Sequence, residues 1–330
     1  MSNQQSKGAV ILVTGGAGYI GSRLIRDLAA DPRFAGHTIR IYDNLRRQHL
    51  CGLMDLPADG RYEFVEGDIL DRLNLRRAMR DVETVVHLAA IVKTPLSFDH
   101  PEWTEQVNHW GTASVVDCAL EAGVSRLLYV SSASVYGPGG PFRETDTCRP
   151  IGPYAISKLK GEEEVARASY TIVRLGTVFG NAPAMRFDGI ANRLTYLVGV
   201  RRAMVVRGSG EQIRPLIHVR DGSAVLRLCL ADPQTVGETI NAVTVNPSIN
   251  RIARTVQALA PDVPIRYTDQ DILTEISFQV EAAKLAGMGF RPQFSLEQGL
   301  EEMLSRWRGF QPASETGIGA SDWSELDNLA

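Results

Sequence analysis

Tyr154 and Lys158 stand four residues apart in PYAISK, a spacing that puts both side chains on one face of a helix. With nine tyrosines and five lysines (Lys7, Lys93, Lys158, Lys160 and Lys284) in the chain, chance supplies a Tyr-x-x-x-Lys pair only about 0.14 times. An ammonium beside a phenol stabilises the phenolate and draws its pKa down from ~10. Tyr154 is therefore a candidate general base for a substrate hydroxyl; the competing reading is an ordinary surface helix pair. Upstream, the apolar run RLLYVSS leads into Ser131-Ser132-Ala133-Ser134-Val135-Tyr136-Gly137. A hydroxyl at the C-terminal edge of a buried strand faces the crevice where open α/β sheets bind ligands. That makes Ser132 a candidate partner of the reacting oxygen, against the alternative of a serine-rich turn held by local bonds.

A second constellation lies near the N-terminus. Thr14-Gly15-Gly16-Ala17-Gly18-Tyr19-Ile20-Gly21 sets glycines at 15, 18 and 21, after an apolar run and at the opening of a helical stretch. Such a pattern gives a tight turn, close backbone approach to a pyrophosphate, and a helix N-terminus aimed at it. Three glycines alone are a weak signal, with about 0.25 matches expected by chance, and a turn without ligand is the other reading. Asp43, at the end of the next run, adds weight. A carboxylate there accepts from a ribose 2′-hydroxyl and repels a 2′-phosphate, which favours NAD over NADP; Arg46 and Arg47 nearby argue the other way. Asp68 and Ile69 close the third run, where they would border the adenine.

Such residues need a frame that gathers them at one edge. Apolar runs at 9–15, 38–43, 62–68, 84–90, 126–132 and 170–175 read as buried strands. Helical patterns at 19–30, 72–80, 104–122 and 153–169 alternate with them, which predicts a doubly wound parallel α/β sheet. Beyond Gly180 the alternation breaks down. Helices near 190–199, 249–260 and 295–307 and strands near 204–206, 216–219 and 264–269 suggest a smaller mixed α/β lobe. The expected division is a sheet domain over 1–180, rejoined by 216–245, with a substrate lobe from 181–215 and 246–311. Residues 312–330 are rich in Ser, Gly and Ala and carry Glu315, Asp322, Glu325 and Asp327 without a basic residue; they read as a disordered tail.

The 330 residues exceed what one core usually holds, roughly 250–300. At 44% apolar and 22% charged the composition excludes disordered, collagen-like and coiled-coil chains. Lys+Arg 35 against Asp+Glu 38 leaves a net charge of −3, without the basic excess nucleic acid requires. Cys51, Cys118, Cys148 and Cys229 form no CxxC pair and the six histidines no HExxH or HxH, so reduced thiols and no metal are expected. No apolar run approaches the ~18–20 residues of a membrane span, and the N-terminus carries no signal-peptide pattern. A cytoplasmic protein without a membrane partner is expected.

The order TGGAGYIG, YDNL, EGDI, HLAA, VNHWGT, SSASVYG and PYAISK, continued by VRGSGEQIRPLIHVRD and GFRPQFSLEQGL, resembles the extended short-chain dehydrogenase/reductase family. The likeness is to its nucleotide-sugar epimerases and dehydratases. It implies a Rossmann-type sheet, NAD as cofactor and a nucleotide sugar as substrate. It further implies that Gly15, Gly18, Tyr19, Ile20 and Gly21 hold the pyrophosphate and that Asp43, Asn44 and Leu45 surround the adenosine ribose. Asp68 and Ile69 would lie at the adenine, and Leu88, Ala89 and Ala90 would line the cofactor. Lys158 would also bind the nicotinamide ribose, Ser132 and Tyr154 would flank the substrate hydroxyl, and Asn108 matches a structural asparagine. Asn192 matches a substrate-binding asparagine. Arg214 matches an arginine near the nucleotide diphosphate, with a surface ion pair as its alternative.

The departures from that family decide between reactions. Its dehydratases carry Asp-Glu just before VYG, where this chain has Ala133-Ser134, and its decarboxylases place Glu where Ser134 stands. Neither Ala nor Ser replaces that acid or base. What remains needs only Ser132, Tyr154, Lys158 and NAD, which points to epimerisation of a nucleotide sugar, foremost at C4. Tyr154 would remove the hydroxyl proton as hydride passes to NAD⁺, and the ketone would rotate before hydride returns to its other face. A stoichiometric NAD(H)-dependent keto-sugar reductase or hydroxyl dehydrogenase uses the same residues; a non-catalytic NAD-binding scaffold is a distant third. The family's Arg-Tyr-Phe-Asn here reads Arg174-Leu175-Gly176-Thr177, and Gln270 stands where a second phosphate arginine is expected, with Arg266 the nearest substitute. The nucleotide stays open. Val107, Trp110, Val115, Ala119, Ile156, Leu159 and Val165 give helices 104–122 and 153–169 more apolar surface than one sheet face needs. The resemblance implies a homodimer through these helices; ordinary core burial is the alternative.

Overall fold

The computed structural model describes residues 8–47, 49–269, 276–307 and 309; the expected tail at 312–330 and Gln270 lie outside them. In chain order β1 (Val10–Thr14) runs into α1 (Tyr19–Ala30), followed by β2 (Thr38–Asp43), β3 (Arg61–Glu66), α2 (Arg72–Ala78) and β4 (Val82–His87). Next come α3 (Thr94–Asp99), α4 (Pro101–Glu105), α5 (Gly111–Ala122), β5 (Arg126–Ser132), β6 (Gly139–Phe142), α6 (Pro153–Ala166), β7 (Thr171–Leu175) and β8 (Thr177–Phe179). The chain continues through α7 (Ile190–Gly199), β9 (Met204–Arg207), β10 (Leu216–His218), α8 (Val219–Ala231) and β11 (Thr239–Ala242). It closes with α9 (Ile249–Leu259), β12 (Ile265–Thr268), β13 (Phe278–Val280), α10 (Ala283–Gly287) and α11 (Leu296–Ser305).

Seven parallel strands form one sheet in the order β11-β7-β5-β4-β1-β2-β3. The period of two along β1 shows why both faces need helices. Ile11 and Val13 pack with Leu24, Ile25 and Leu28 of α1 and with Val225 and Leu226 of α8. Val10 and Leu12 face the other way, against Leu75 of α2 and Val115, Val116 and Ala119 of α5. This is the doubly wound Rossmann-type arrangement. Strand order reverses between β1 and β4, so the crevice outside their C-terminal ends is the place where such sheets take ligands.

A separate apolar cluster holds α7, α9 and α11 together through Leu194, Val198, Ile252, Val256, Leu300 and Met303. Beside it β9 and β12 form a parallel pair. Several elements were not legible as periodic patterns. α8, which covers α1, is not among the helices that the periodicity predicts, and β6 pairs with β13 through a glycine-rich segment that has no strand signature. The helix expected over 104–122 is interrupted by a π-helical turn at Gln106–Trp110. Among the described residues no helix is long and apolar enough to cross a membrane.

Candidate active site

The turn after β1 is built for close backbone approach. Gly15 has a φ of 69°, and a Cβ there would lie 2.7 Å from the backbone nitrogen of Ala89. A Cβ on Gly21 would lie 2.4 Å from the Gly15 carbonyl oxygen. Gly18 is the N-cap of α1 and offers no side-chain cap, so the first-turn N–H groups of Tyr19, Ile20 and Gly21 have no partner within the helix. This open positive end sits at the strand-order reversal, a cradle that fits a pyrophosphate. Asp43 stands beside it. One of its carboxylate oxygens accepts from the Ala17 N–H at 3.0 Å and the other from the Leu45 N–H at 2.9 Å, while burial pushes its pKa up. Asn44 donates to the Asp68 carboxylate at 2.9 Å, which brings the ends of β2 and β3 together. Leu88, Ala89 and Ala90 are half-buried where the chain leaves β4, and the Leu88 N–H donates to the Thr14 carbonyl at 3.0 Å. Ile69 is buried in the core. The Tyr19 side chain also turns inward: its hydroxyl donates to the Gly180 carbonyl at 2.6 Å.

Three consecutive residues of β5 each meet one residue of α6. The Val130 carbonyl accepts from Lys158 Nζ at 2.7 Å, the Ser131 hydroxyl donates to Glu162 at 2.5 Å, and the Ser132 hydroxyl lies near enough to the Tyr154 phenol to favour its ionised form. Ser132, Tyr154 and Lys158 are thereby brought together at the C-terminal edge of the sheet. Lys158 is 3% exposed, with its ammonium 4.1 Å from the centre of the Tyr129 ring. Burial pulls its pKa down to about 7, opposed by the charge of Glu162.

Tyr154 behaves differently from the expectation that Lys158 lowers its pKa. Burial pushes the phenol up; the nearby Ser132 hydroxyl and the positive charge of Arg186 pull against it. The cation acting on the phenol thus comes from the segment between β8 and α7, a stretch with no motif to flag it. Arg186 is fixed by Asp188 through contacts of 2.5 and 2.7 Å and donates to the Val92 carbonyl at 3.1 Å.

A buried polar chain joins the glycine turn to the catalytic helix. Thr14 Oγ1 lies 2.7 Å from His87 Nδ1, and His87 Nε2 lies 3.0 Å from Thr112 Oγ1. Thr112 donates to the Asn108 carbonyl at 2.7 Å, Asn108 to Ser157 at 3.1 Å, and Ser157 to the Tyr154 carbonyl at 2.8 Å. Asn108 also pairs with both backbone groups of Ile91, at 2.7 and 2.8 Å. It lies in the π-helical turn, where that wider winding lets its side chain reach the strand end.

The expected substrate residues do not gather as tightly. Asn192 is 1% exposed. Its oxygen accepts from the Gly180 N–H at 3.2 Å, and its amide donates to the Tyr19 hydroxyl at 3.1 Å and the Arg186 carbonyl at 2.7 Å. It therefore ties α1, α7 and the Arg186 segment together, and its polar groups are spent within the protein. Arg214 is half-buried just before β10 and donates to the carbonyl of Ile276. Arg266 lies exposed on β12. Of the apolar set on the two helices, Val115, Ala119 and Val165 are wholly buried, whereas Trp110 is 58% and Ile156 40% exposed. Core burial thus accounts for only part of that set. Among the described residues no cluster of His, Cys, Asp and Glu could hold a metal ion.

Comparison with known proteins agrees with this geometry. The model of the NAD dependent epimerase/dehydratase family matches residues 11–242. The low-salt glycan biosynthesis protein Agl12 of Haloferax volcanii is 27% identical over 91% of this chain and 98% of its own. A UDP-glucose 4-epimerase of Mycolicibacterium smegmatis is 29% identical over 90% of this chain and 98% of its own. Among solved structures, the dTDP-glucose 4,6-dehydratase DesIV of Streptomyces venezuelae with NAD bound superposes with a TM-score of 0.82. It is 26% identical, over 90% of this chain and 96% of its own.

Proposed function

Because this chain belongs to the NAD dependent epimerase/dehydratase family of extended short-chain dehydrogenases/reductases, with NAD as its cofactor, we propose that it epimerises a nucleotide sugar, foremost at C4. NAD, when bound, supplies the reversible hydride acceptor. The glycine turn and the open N-terminus of α1 would hold its pyrophosphate, and Asp43 its adenosine ribose. Tyr154 takes the proton of the substrate hydroxyl and gives it back after the sugar has turned. Ser132 orients the same oxygen, and Lys158 has two N–H groups beyond the one given to Val130 with which to reach the ribose and the phenol. Arg214 suits the diphosphate because a guanidinium donates two parallel hydrogen bonds.

The observation that carries epimerisation over dehydration is the pair that follows Ser132. Ala133 is 1% exposed, and Ser134 Oγ is 2.9 Å from Ser132 Oγ. No carboxylate stands there to protonate or remove a leaving hydroxyl. The test is a panel of UDP-, dTDP-, GDP- and CDP-sugars followed by product NMR without added cofactor. New epimer signals are expected. Turnover only after NAD⁺ or NADH is added would replace the epimerase by a stoichiometric keto-sugar reductase or dehydrogenase. A cytoplasmic homodimer, built on the exposed Trp110 and Ile156, belongs to the same proposal, as does the division into an NAD-binding domain and a substrate lobe.

A further inference from the structure

Lys158 is a buried cation with little of its own to hold it. Its ammonium meets one carbonyl, that of Val130, and the face of Tyr129. An ammonium taken out of water without a counter-charge neutralises itself instead. The groups around it come from four elements. From β4 the His87 ring faces it but is held neutral, with its pKa pulled down to about 3. From β5 there is the Tyr129 phenol, and from α6 itself Tyr154 on one side and Glu162 on the other. Arg174 of β7 stands behind Glu162. Of these, Glu162 alone is an anion.

Glu162 lies one helical turn beyond Lys158, on the same face, and is 4% exposed. Its place is over-determined. Arg174 grips both oxygens, at 3.0 Å and 2.7 Å, and Ser131 adds a short bond from the strand whose neighbouring carbonyl receives Lys158. A pair serving only to join α6 to β7 would not need that third contact, which pins the carboxylate to the strand carrying the reacting serine.

We propose that Glu162 is a positioning residue of this site: its carboxylate, locked by Ser131 and Arg174, is the counter-charge that keeps Lys158 an ammonium beside Tyr154. The inference rests on the catalytic reading of Tyr154 and Lys158, but its test needs no substrate. With five lysines in the chain, protein made with ε-¹³C-lysine gives few signals, and Lys158→Met assigns the one that matters. In the wild type that signal titrates near pH 7. In Glu162→Gln its midpoint falls by about one pH unit or more, the effect of losing one nearby opposite charge. Glu162→Asp, which keeps the charge, retains most of the wild-type midpoint. Glu162→Gln leaves Arg174 buried and unpaired, so the double variant Glu162→Gln/Arg174→Met removes both charges and preserves the fold; its midpoint also falls. An unchanged midpoint in the double variant overturns the proposal and leaves the pair a structural strut. Because this readout is a lysine titration, it stands or falls separately from the sugar panel.

Discussion

The hydroxyl of Thr14 and the Nδ1 of His87 lie 2.7 Å apart at the ends of two adjacent strands, β1 and β4. Thr112 commits its hydroxyl hydrogen to the Asn108 carbonyl, so the His87 Nε2 must carry the ring proton and Nδ1 must accept from Thr14. A neutral, Nε2-protonated imidazole is the form the network needs. It couples the residue before the glycine turn to the helix that carries Tyr154.

That requirement gives a pH prediction. His87 has its pKa held at about 3 in the folded chain, because it is buried near Lys158, against about 6.5 when unfolded. Above pH 6.5 its contribution is complete. As pH falls from 6.5 towards 3 the unfolded chain binds a proton the folded one does not, and stability drops by about 1.4 kcal/mol per pH unit from this group. His87→Asn is expected to be less stable than wild type at pH 7 and to lose less on going to pH 5. Urea unfolding at both pH values measures this; equal losses in the two proteins would show that His87 is not the titrating group.

Arg186 gives a second prediction. Its positive charge draws the Tyr154 phenol down, and its removal leaves burial to raise that phenol further. If Tyr154 is the general base, Arg186→Gln moves the acidic limb of the kcat–pH profile to higher pH. Arg186→Lys, which keeps the charge but loses the planar fork to Asp188, shifts it less. A limb that stays in place in Arg186→Gln removes Arg186 from the reacting centre.

The contrast between Arg186 and Lys158 shows what the sequence could and could not reveal. Tyr154, Lys158 and the glycines at 15, 18 and 21 stand out in the sequence because the chemistry proposed for them requires short, fixed spacings on one helix or one turn. The central sheet was readable for a similar reason, since strands buried on both faces leave continuous apolar runs such as VILVT. Arg186 and His87 act through contacts that cross the fold: Arg186, between β8 and α7, faces Tyr154 of α6, and His87 links β1 to α5. No local pattern marks such pairings. Asn192 shows the converse, a motif match whose amide also ties segments of the folded chain together through Gly180, Tyr19 and Arg186.

Tyr154→Phe removes the proton acceptor and keeps the ring, so folding and cofactor content are expected to match wild type. Turnover should fall by about 10²–10⁴, the usual contribution of a general base. Ser132→Ala keeps Tyr154 but frees Ser134 from its partner and should cost less. Bound nucleotide released by denaturation and read by absorbance checks the first claim, and product NMR the second. A Tyr154→Phe protein with wild-type turnover would assign the base elsewhere.

The last prediction separates core from interface on the two helices that carry apolar stripes. Val115, Ala119 and Val165 are wholly buried, so truncating Val115 should lower stability by about 0.5–3 kcal/mol without changing assembly. Trp110 and Ile156 contribute nothing comparable to a core, at 58% and 40% exposure, and Phe98 and Leu120 are similarly open at 46% and 47%. A dimer built on these helices would bury that surface, and a charge placed there would sit desolvated and unpaired. Trp110→Glu and Ile156→Glu are therefore expected to sediment as monomers at micromolar concentration, where the wild type sediments as a dimer. Their midpoint in urea should then fall to a value independent of protein concentration, whereas the wild-type midpoint rises with concentration because association stabilises the folded state. A wild type that is monomeric, with a concentration-independent midpoint, would make the exposed tryptophan an isolated surface residue.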